Sequence, residues 1–339
     1  MAKAVKTEIL TGVVGYGGAF NMGMHHLNSQ KATKGLKPVA VCDADPARAQ
    51  QAKEDWPDLE VYTDLKELLK KSPVEMLTMI TPHNTHAPLA IQCMNAGRHA
   101  ITEKPMAISV KECDRMIAAS KKNKVMLSVY HNRHWDANII GLTRAAHRGG
   151  IGDVFRVDAA AAGYGKPRDD WWRSNKAVSG GYMYDWGAHF VEWLLQIMNA
   201  PMSDIAGYFQ DRVWSHVTNE DEGVAVVRFK NGSSCRLEMS SIAATGLPYS
   251  FRILGTKGSV VTSDGGCVVT KIDKKGERTE KYDEYPKGQH SKFYRNIRDH
   301  LLKGSDLIIT PEWARRVIQV IEYSELSHKK GKSVPAKYE

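Results

Sequence analysis

The chain has no stretch of the roughly 18 apolar residues needed to cross a bilayer. Its longest apolar runs are pieces such as Met76 to Ile80, which fit a strand and nothing longer. The start, Met1-Ala2-Lys3-Ala4-Val5-Lys6, is positively charged but lacks the apolar core and small-residue cleavage site of a secretory leader, so a cytoplasmic protein is expected. Cysteine is sparse. Cys42, Cys93, Cys113, Cys235 and Cys267 are odd in number, widely spaced and without a Cys-x-x-Cys pair. That argues against a zinc knuckle, a redox pair or a disulfide scaffold and for buried free thiols. No metal site is expected.

The sequence also lacks the charge pattern of a nucleic-acid binder. It carries 47 basic against 38 acidic side chains, a formal +9. The excess is spread along both halves, and no basic block exceeds Lys121-Lys122-Asn123-Lys124. No aromatic residues interleave with it as a single-strand binder needs. Neither repeats nor low-complexity tracts occur. What remains is an ordinary globular composition over 339 residues, too long for one typical core, so two domains are expected.

The first part alternates strand and helix. Ile9–Val14, Lys37–Cys42, Val61-Tyr62, Val74–Ile80, His99–Thr102 and Val125–Val129 read as strands, with helical stretches between them. This is the pattern of a doubly wound parallel sheet, expected over residues 1–130. After Tyr130 several strands follow one another with few helices between. Asn231-Gly232 marks a hairpin. Residues 131–339 are therefore expected to form an α+β domain with a mainly antiparallel sheet and helices on one face.

Gly12-Val13-Val14-Gly15-Tyr16-Gly17-Gly18 follows the first strand and precedes a helix. Glycines there let the backbone approach a pyrophosphate at a helix N-terminus. The usual spacing puts a third glycine at position 20, which is Phe20; the next is Gly23. The loop, with Ala19 and Phe20, is thus a variant of the dinucleotide fingerprint. Asp43 ends the second strand, where a carboxylate hydrogen-bonds ribose hydroxyls and repels a 2′-phosphate. That favours NAD over NADP, with Arg48 the residue most able to reverse the preference.

Three segments carry a resemblance. Thr81-Pro82-His83-Asn84-Thr85-His86 follows the fourth strand, and Glu103-Lys104-Pro105 follows the fifth. Gly180-Gly181-Tyr182-Met183-Tyr184-Asp185-Trp186-Gly187-Ala188-His189 lies in the second part. With His131-Asn132-Arg133, Trp172-Arg173 and Leu254-Gly255-Thr256-Lys257-Gly258, the chain resembles the glucose–fructose oxidoreductase/inositol dehydrogenase (Gfo/Idh/MocA) family nearly end to end. The resemblance implies that Lys104, Asp185 and His189 are the catalytic set. It also implies that the Thr81, Pro82, His83 and His86 loop and Glu103-Lys104 lie at the cofactor. Arg133, Trp172 and Arg173 are the further substrate candidates. The residue chemistry agrees: a histidine takes a hydroxyl proton near neutral pH, and an ammonium stabilises developing alkoxide.

The expected activity is hydride transfer between NAD and a secondary hydroxyl of a sugar, glycoside or cyclitol. The alternatives are an NAD-dependent glycosidase with transient ring oxidation and a non-catalytic sensor on the same fold. A homodimer or homotetramer is expected, with a small polyol or carbohydrate as substrate and neither nucleic acid nor membrane as partner.

Overall fold

The structure is a computed structural model that describes residues 6–18 and 20–339. Ala19, an expected cofactor contact, and the first five residues lie outside the described residues. The chain forms two compact units. One comprises the chain up to His131 together with Ser291–Arg315; the other comprises Asn132–His290 and Arg316–Glu339.

The first unit is built on six parallel strands: β1 (Ile9–Val14), β2 (Leu36–Cys42), β3 (Glu60–Tyr62), β4 (Met76–Met79), β5 (His99–Thr102) and β6 (Leu127–Val129). Their order is β3-β2-β1-β4-β5-β6, so the winding direction reverses between β1 and β4. In such sheets ligands bind beyond the carboxyl ends of the strands at that reversal. β4 and β6 are buried throughout, as strands covered on both faces must be. Helices α1 (Met22–Lys31), α2 (Pro46–Asp55), α3 (Leu65–Lys71), α4 (His86–Asn95) and α5 (Val110–Asn123) alternate with the strands. Asp45 caps α2 by accepting from Ala47 N at 2.9 Å, with proline at the first turn.

Residues 291–315 depart from the expected contiguous second domain, because they fold with the first unit. Phe293, Tyr294 and Ile297 of helix α9 (Lys292–Lys303) are buried. Phe293 meets Tyr130 edge-on at 4.8 Å, and Arg298 donates to Lys34 O at 2.7 Å. A periodic apolar stripe reports that a helix is covered, not by which sheet.

The second unit has nine strands. They are β7 (Val154–Ala162), β8 (Met202–Gln210), β9 (Glu222–Phe229), β10 (Ser234–Ser240), β11 (Phe251–Gly255), β12 (Gly258–Ser263), β13 (Gly266–Ile272), β14 (Arg278–Glu284) and β15 (Val334–Pro335). Their order is β14-β13-β12-β11-β7-β10-β9-β8-β15. All neighbours are antiparallel except β7 and β10, which run parallel. Asn231-Gly232 does turn β9 into β10; Asn231 Oδ1 accepts from Ser233 N at 3.1 Å.

Ala225, Val227, Cys235 and Leu237 face Val191, Leu194 and Leu195 of α8 (Ala188–Met198) and Val320 of α10 (Pro311–Lys330). Each fully buried aliphatic side chain contributes about 1.5–3 kcal/mol. The remaining helices of this unit are α6 (Ala137–Arg148) and the short α7 (Lys176–Ser179). All five cysteines are buried and unbridged. Burial pushes the thiols of Cys42, Cys93 and Cys235 up to about 12. Among the described residues no helix is long and apolar enough to cross a membrane.

Candidate active site and cofactor cleft

In the first unit a cleft of about 470 Å³ opens at the β1/β4 reversal, lined by Gly15, Gly17, Asp43, Arg48, Thr81 and Pro82 among others. Gly15 leaves β1 with φ +94°, and a Cβ there would lie 2.2 Å from Ile80 O. Only glycine fits that turn. A Cβ on Gly17 would meet nothing within 4 Å, so this side of the loop is open for a ligand to approach. Gly23 takes the part that position 20 was expected to fill. A Cβ on it would lie 2.8 Å from the Tyr16 ring and 2.9 Å from Tyr16 Cα, so α1 packs directly on the loop. Phe20 is 59% exposed.

Asp43 is fixed by two backbone donors. Tyr16 N donates to Oδ2 at 2.6 Å and Asp45 N to Oδ1 at 2.9 Å. Each carboxylate oxygen keeps further acceptor capacity for a ribose hydroxyl. The Arg48 guanidinium lies against Gly18, with Nη1 2.7 Å from where a Cβ would stand. A cation and a carboxylate thus share one cleft.

The loop after β4 is fastened from within. The Thr85 hydroxyl donates to Pro82 O at 2.6 Å and lies 2.7 Å from the Thr81 hydroxyl, from which it can accept. His86 is fully buried, its ring nitrogens 2.8 Å from Pro105 O and 2.9 Å from Thr81 O. Burial pulls its imidazole below the usual value, against the two carbonyls and Glu103. His86 therefore sits between the Thr81 loop and the Lys104-Pro105 loop, with one carbonyl from each beside its ring. His83 is buried as well, 2% exposed. Glu103 is likewise engaged inside the protein: Lys104 N donates to its Oε2 at 3.1 Å, and His26 Nε2 lies 3.0 Å from Oε1. Lys104 itself is half-buried.

In the second unit Asp185 and His189 do not share one regular helix. Asp185 sits in a π-helical turn, Met183–Gly187, that leads into α8, where His189 lies. Such wide turns recur at functional sites. His189 is 5% exposed; its ring stacks on Trp193 at 5.9 Å and is tilted to Trp186 at 5.5 Å. Trp193 Nε1 donates to Arg133 O at 3.0 Å, and the Arg133 guanidinium lies 4.9 Å over Trp186. Arg133 Nη1 donates to Asp136 Oδ2 at 2.9 Å. Arg173 faces Asp185 Oδ2 at 3.5 Å and rests on Trp172 at 4.4 Å and Trp171 at 4.9 Å. The second unit therefore holds two sets of contacts, Arg173 with Asp185 and Trp172, and Arg133 with Trp186, Trp193 and His189, joined through the chain at Asp185-Trp186.

Glu220 holds the glycine turn ahead of that cluster, and nothing in the sequence singled it out. It is 4% exposed, accepts from Met183 N at 3.0 Å and from Lys176 Nζ at 2.9 Å. Gly181, at φ +135°, has no room for a side chain; a Cβ would lie 2.7 Å from Glu220 Oε2. Burial first, then the Asp185 and Glu220 charges, raise the Tyr182 phenol. Among the described residues no three His, Cys, Asp or Glu side chains gather as a metal ion would require.

Comparison with known proteins bears on this geometry. An oxidoreductase-family model with an NAD-binding Rossmann fold matches residues 9–131, and the GFO/IDH/MocA C-terminal domain matches residues 141–261. The chain belongs to the Gfo/Idh/MocA oxidoreductase family. It is an NAD(P)-dependent oxidoreductase. The NADP+-dependent scyllo-inositol 2-dehydrogenase of Bacillus subtilis is 25% identical over 313 residues, 85% of this chain and 86% of that protein. The myo-inositol 2-dehydrogenase of Thermotoga maritima is 27% identical over 275 residues, 80% of each chain. The crystal structure of an NAD-binding protein from Listeria innocua has the same fold, with a TM-score of 0.85 over 97% of each chain at 23% identity. A nicotinamide dinucleotide fits the first unit on its own evidence: a loop that only glycine can form, an open Gly17 and a fixed carboxylate at the strand end.

Proposed function

We propose that the protein transfers a hydride between NAD and a secondary hydroxyl of a sugar, glycoside or cyclitol, with the first unit serving the cofactor and the second the substrate and assembly. The observation that carries this reading is the cleft of the first unit, where a loop that only glycine can form meets the fixed Asp43 carboxylate. The inositol dehydrogenases named above support the substrate class. One of them uses NADP+, so the preference for NAD here rests on Asp43 rather than on kinship.

Gly15, Gly17 and Gly18 receive the pyrophosphate, and Asp43 binds the adenosine ribose. A nicotinamide dinucleotide held by these residues would supply the hydride acceptor for oxidation of a carbinol carbon. His189 takes the hydroxyl proton on a ring nitrogen; Trp186 and Trp193 keep that ring dry and oriented. Lys104 donates a hydrogen bond to the substrate oxygen and stabilises it as charge develops. Asp185, paired with Arg173, places the substrate, and the faces of Trp172 and Trp186 suit a sugar or cyclitol ring. The dehydrogenase relatives favour net oxidation over the glycosidase alternative.

The test is a panel of inositols, aldoses and glycosides scanned for nicotinamide reduction with NAD and with NADP. Net reduction by a free polyol is expected; aglycone release without net reduction contradicts the proposal. We further propose a cytoplasmic homodimer or homotetramer. Light scattering that returns a monomer's mass contradicts it.

A further inference from the structure

Behind Lys104 runs a buried polar chain that the mechanism above does not use. His26 of α1 is fully buried. Its Nε2 lies 3.0 Å from Glu103 Oε1, and its Nδ1 lies 2.6 Å from the Tyr294 hydroxyl of α9. Tyr294 accepts from Gln30 Nε2 at 3.2 Å, and Gln30 Oε1 accepts from the Thr11 hydroxyl at 2.7 Å. Thr11, Gln30 and Thr78 beside them are fully buried. One proton arrangement joins every member. Thr11 donates to Gln30, Gln30 to Tyr294, Tyr294 to Nδ1 of His26, and Nε2–H of His26 to Glu103. The other oxygen of Glu103 accepts from the backbone of Lys104 at 3.1 Å. A buried line of donors therefore ends on the group that fixes the lysine. Such a line is costly to leave half-made, and its members reinforce one another when complete.

We propose that His26, oriented by Tyr294, is a positioning residue for the reaction: it keeps Glu103 charged and aimed, so that Glu103 in turn fixes Lys104. The inference rests on Lys104 taking part in the chemistry. Burial alone would raise the Glu103 carboxyl. The His26 hydrogen bond, together with the Lys104 charge and the Lys104 backbone N–H, outweighs burial and holds the group below its usual range. The other titratable groups facing Glu103 are Tyr130 after β6, Tyr294 of α9 and His86 of α4, whose own ionisation each feels its charge. None of these replaces the His26 donor. Without His26, burial dominates and Glu103 takes up a proton closer to neutrality.

The experiment compares His26→Leu, His26→Gln, Lys104→Met and the double variant His26→Leu/Glu103→Gln with the wild-type protein. For His26→Leu, kcat should fall at least about tenfold while NADH affinity changes less than about threefold. A new acid limb, absent from the wild type, should enter the rate profile. His26→Gln, whose amide can donate to Glu103, should recover most of kcat and lose that limb. A second readout needs no turnover: infrared difference spectra on acidification should show a carboxylic acid band in His26→Leu that is absent from the wild type and from the double variant. A uniform fall of kcat at every pH without rescue by His26→Gln, or no such band, overturns the inference. Near-normal turnover in Lys104→Met overturns the Lys104 reading instead, and the infrared result tells the two failures apart.

Discussion

Replacing Asp43 by serine should exchange the coenzyme preference. The carboxylate is set by Tyr16 N at 2.6 Å and Asp45 N at 2.9 Å, at the edge of the cofactor cleft. A hydrogen bond from a ribose hydroxyl to a charged acceptor is worth about 1.5–3 kcal/mol, so its loss weakens NAD about 10- to 150-fold. The same carboxylate opposes a 2′-phosphate. Two unit charges 4 Å apart near a protein surface interact by about 4 kcal/mol, and the half-exposed position of Asp43 leaves about 1–2 kcal/mol of that. Arg48, exposed beside Gly18, adds attraction for the phosphate of under about 1 kcal/mol. The ratio of NADP to NAD affinity should therefore rise about 100-fold or more. Tyr16 N also loses its acceptor, and that penalty falls on both coenzymes equally. The ratio, measured by fluorescence titration with NADH and NADPH, is the informative quantity. A ratio within about threefold of the wild type refutes the reasoning. Arg48→Ala added to Asp43→Ser should return part of the gain.

Other expectations follow from single contacts. Gly15→Ala places a Cβ 2.2 Å from Ile80 O in a left-handed backbone that costs a side chain about 1–2 kcal/mol. It should abolish NADH binding in titration and lower the melting temperature. Glu220→Ala leaves the part-buried Lys176 with Glu325 alone at 3.1 Å and frees Met183 N. A loss of about 1–3 kcal/mol is expected from urea unfolding, because Lys176 keeps one carboxylate and the main cost is the buried Met183 N–H left without its acceptor. Glu103 is held below its usual range, so its stabilising contribution is complete above about pH 4.3 and is lost as pH falls through its lower folded value. The stability difference between wild type and Glu103→Gln should be constant from pH 7 to pH 5 and shrink in stronger acid, as read by chemical unfolding at each pH.

The parallel sheet was legible because each strand is a short apolar run followed at once by its own helix. Local signals also marked Gly15 and Asp43. Gly23 was visible as a glycine but its partner was not, since contact with Tyr16 depends on how α1 returns to the loop. The π-helical turn at Asp185 escaped because the sequence pattern there also fits an ordinary helix start. β14 escaped for a different reason: Arg278–Glu284 is an exposed, charged edge strand with no apolar alternation to read. His26, Glu220 and the placement of α9 depend on partners 37 to 268 residues away in the chain. No local window contains such a pair.

The central claim is hydride transfer from a polyol hydroxyl to NAD with Lys104 and His189 at the reacting atoms. It is tested most directly by NADH formation across the polyol panel, with wild type, Lys104→Met and His189→Asn side by side. Net reduction by at least one cyclitol or sugar is expected, with a loss of about 100-fold or more in kcat in each variant and NADH affinity nearly unchanged. Near-normal turnover in both variants contradicts it.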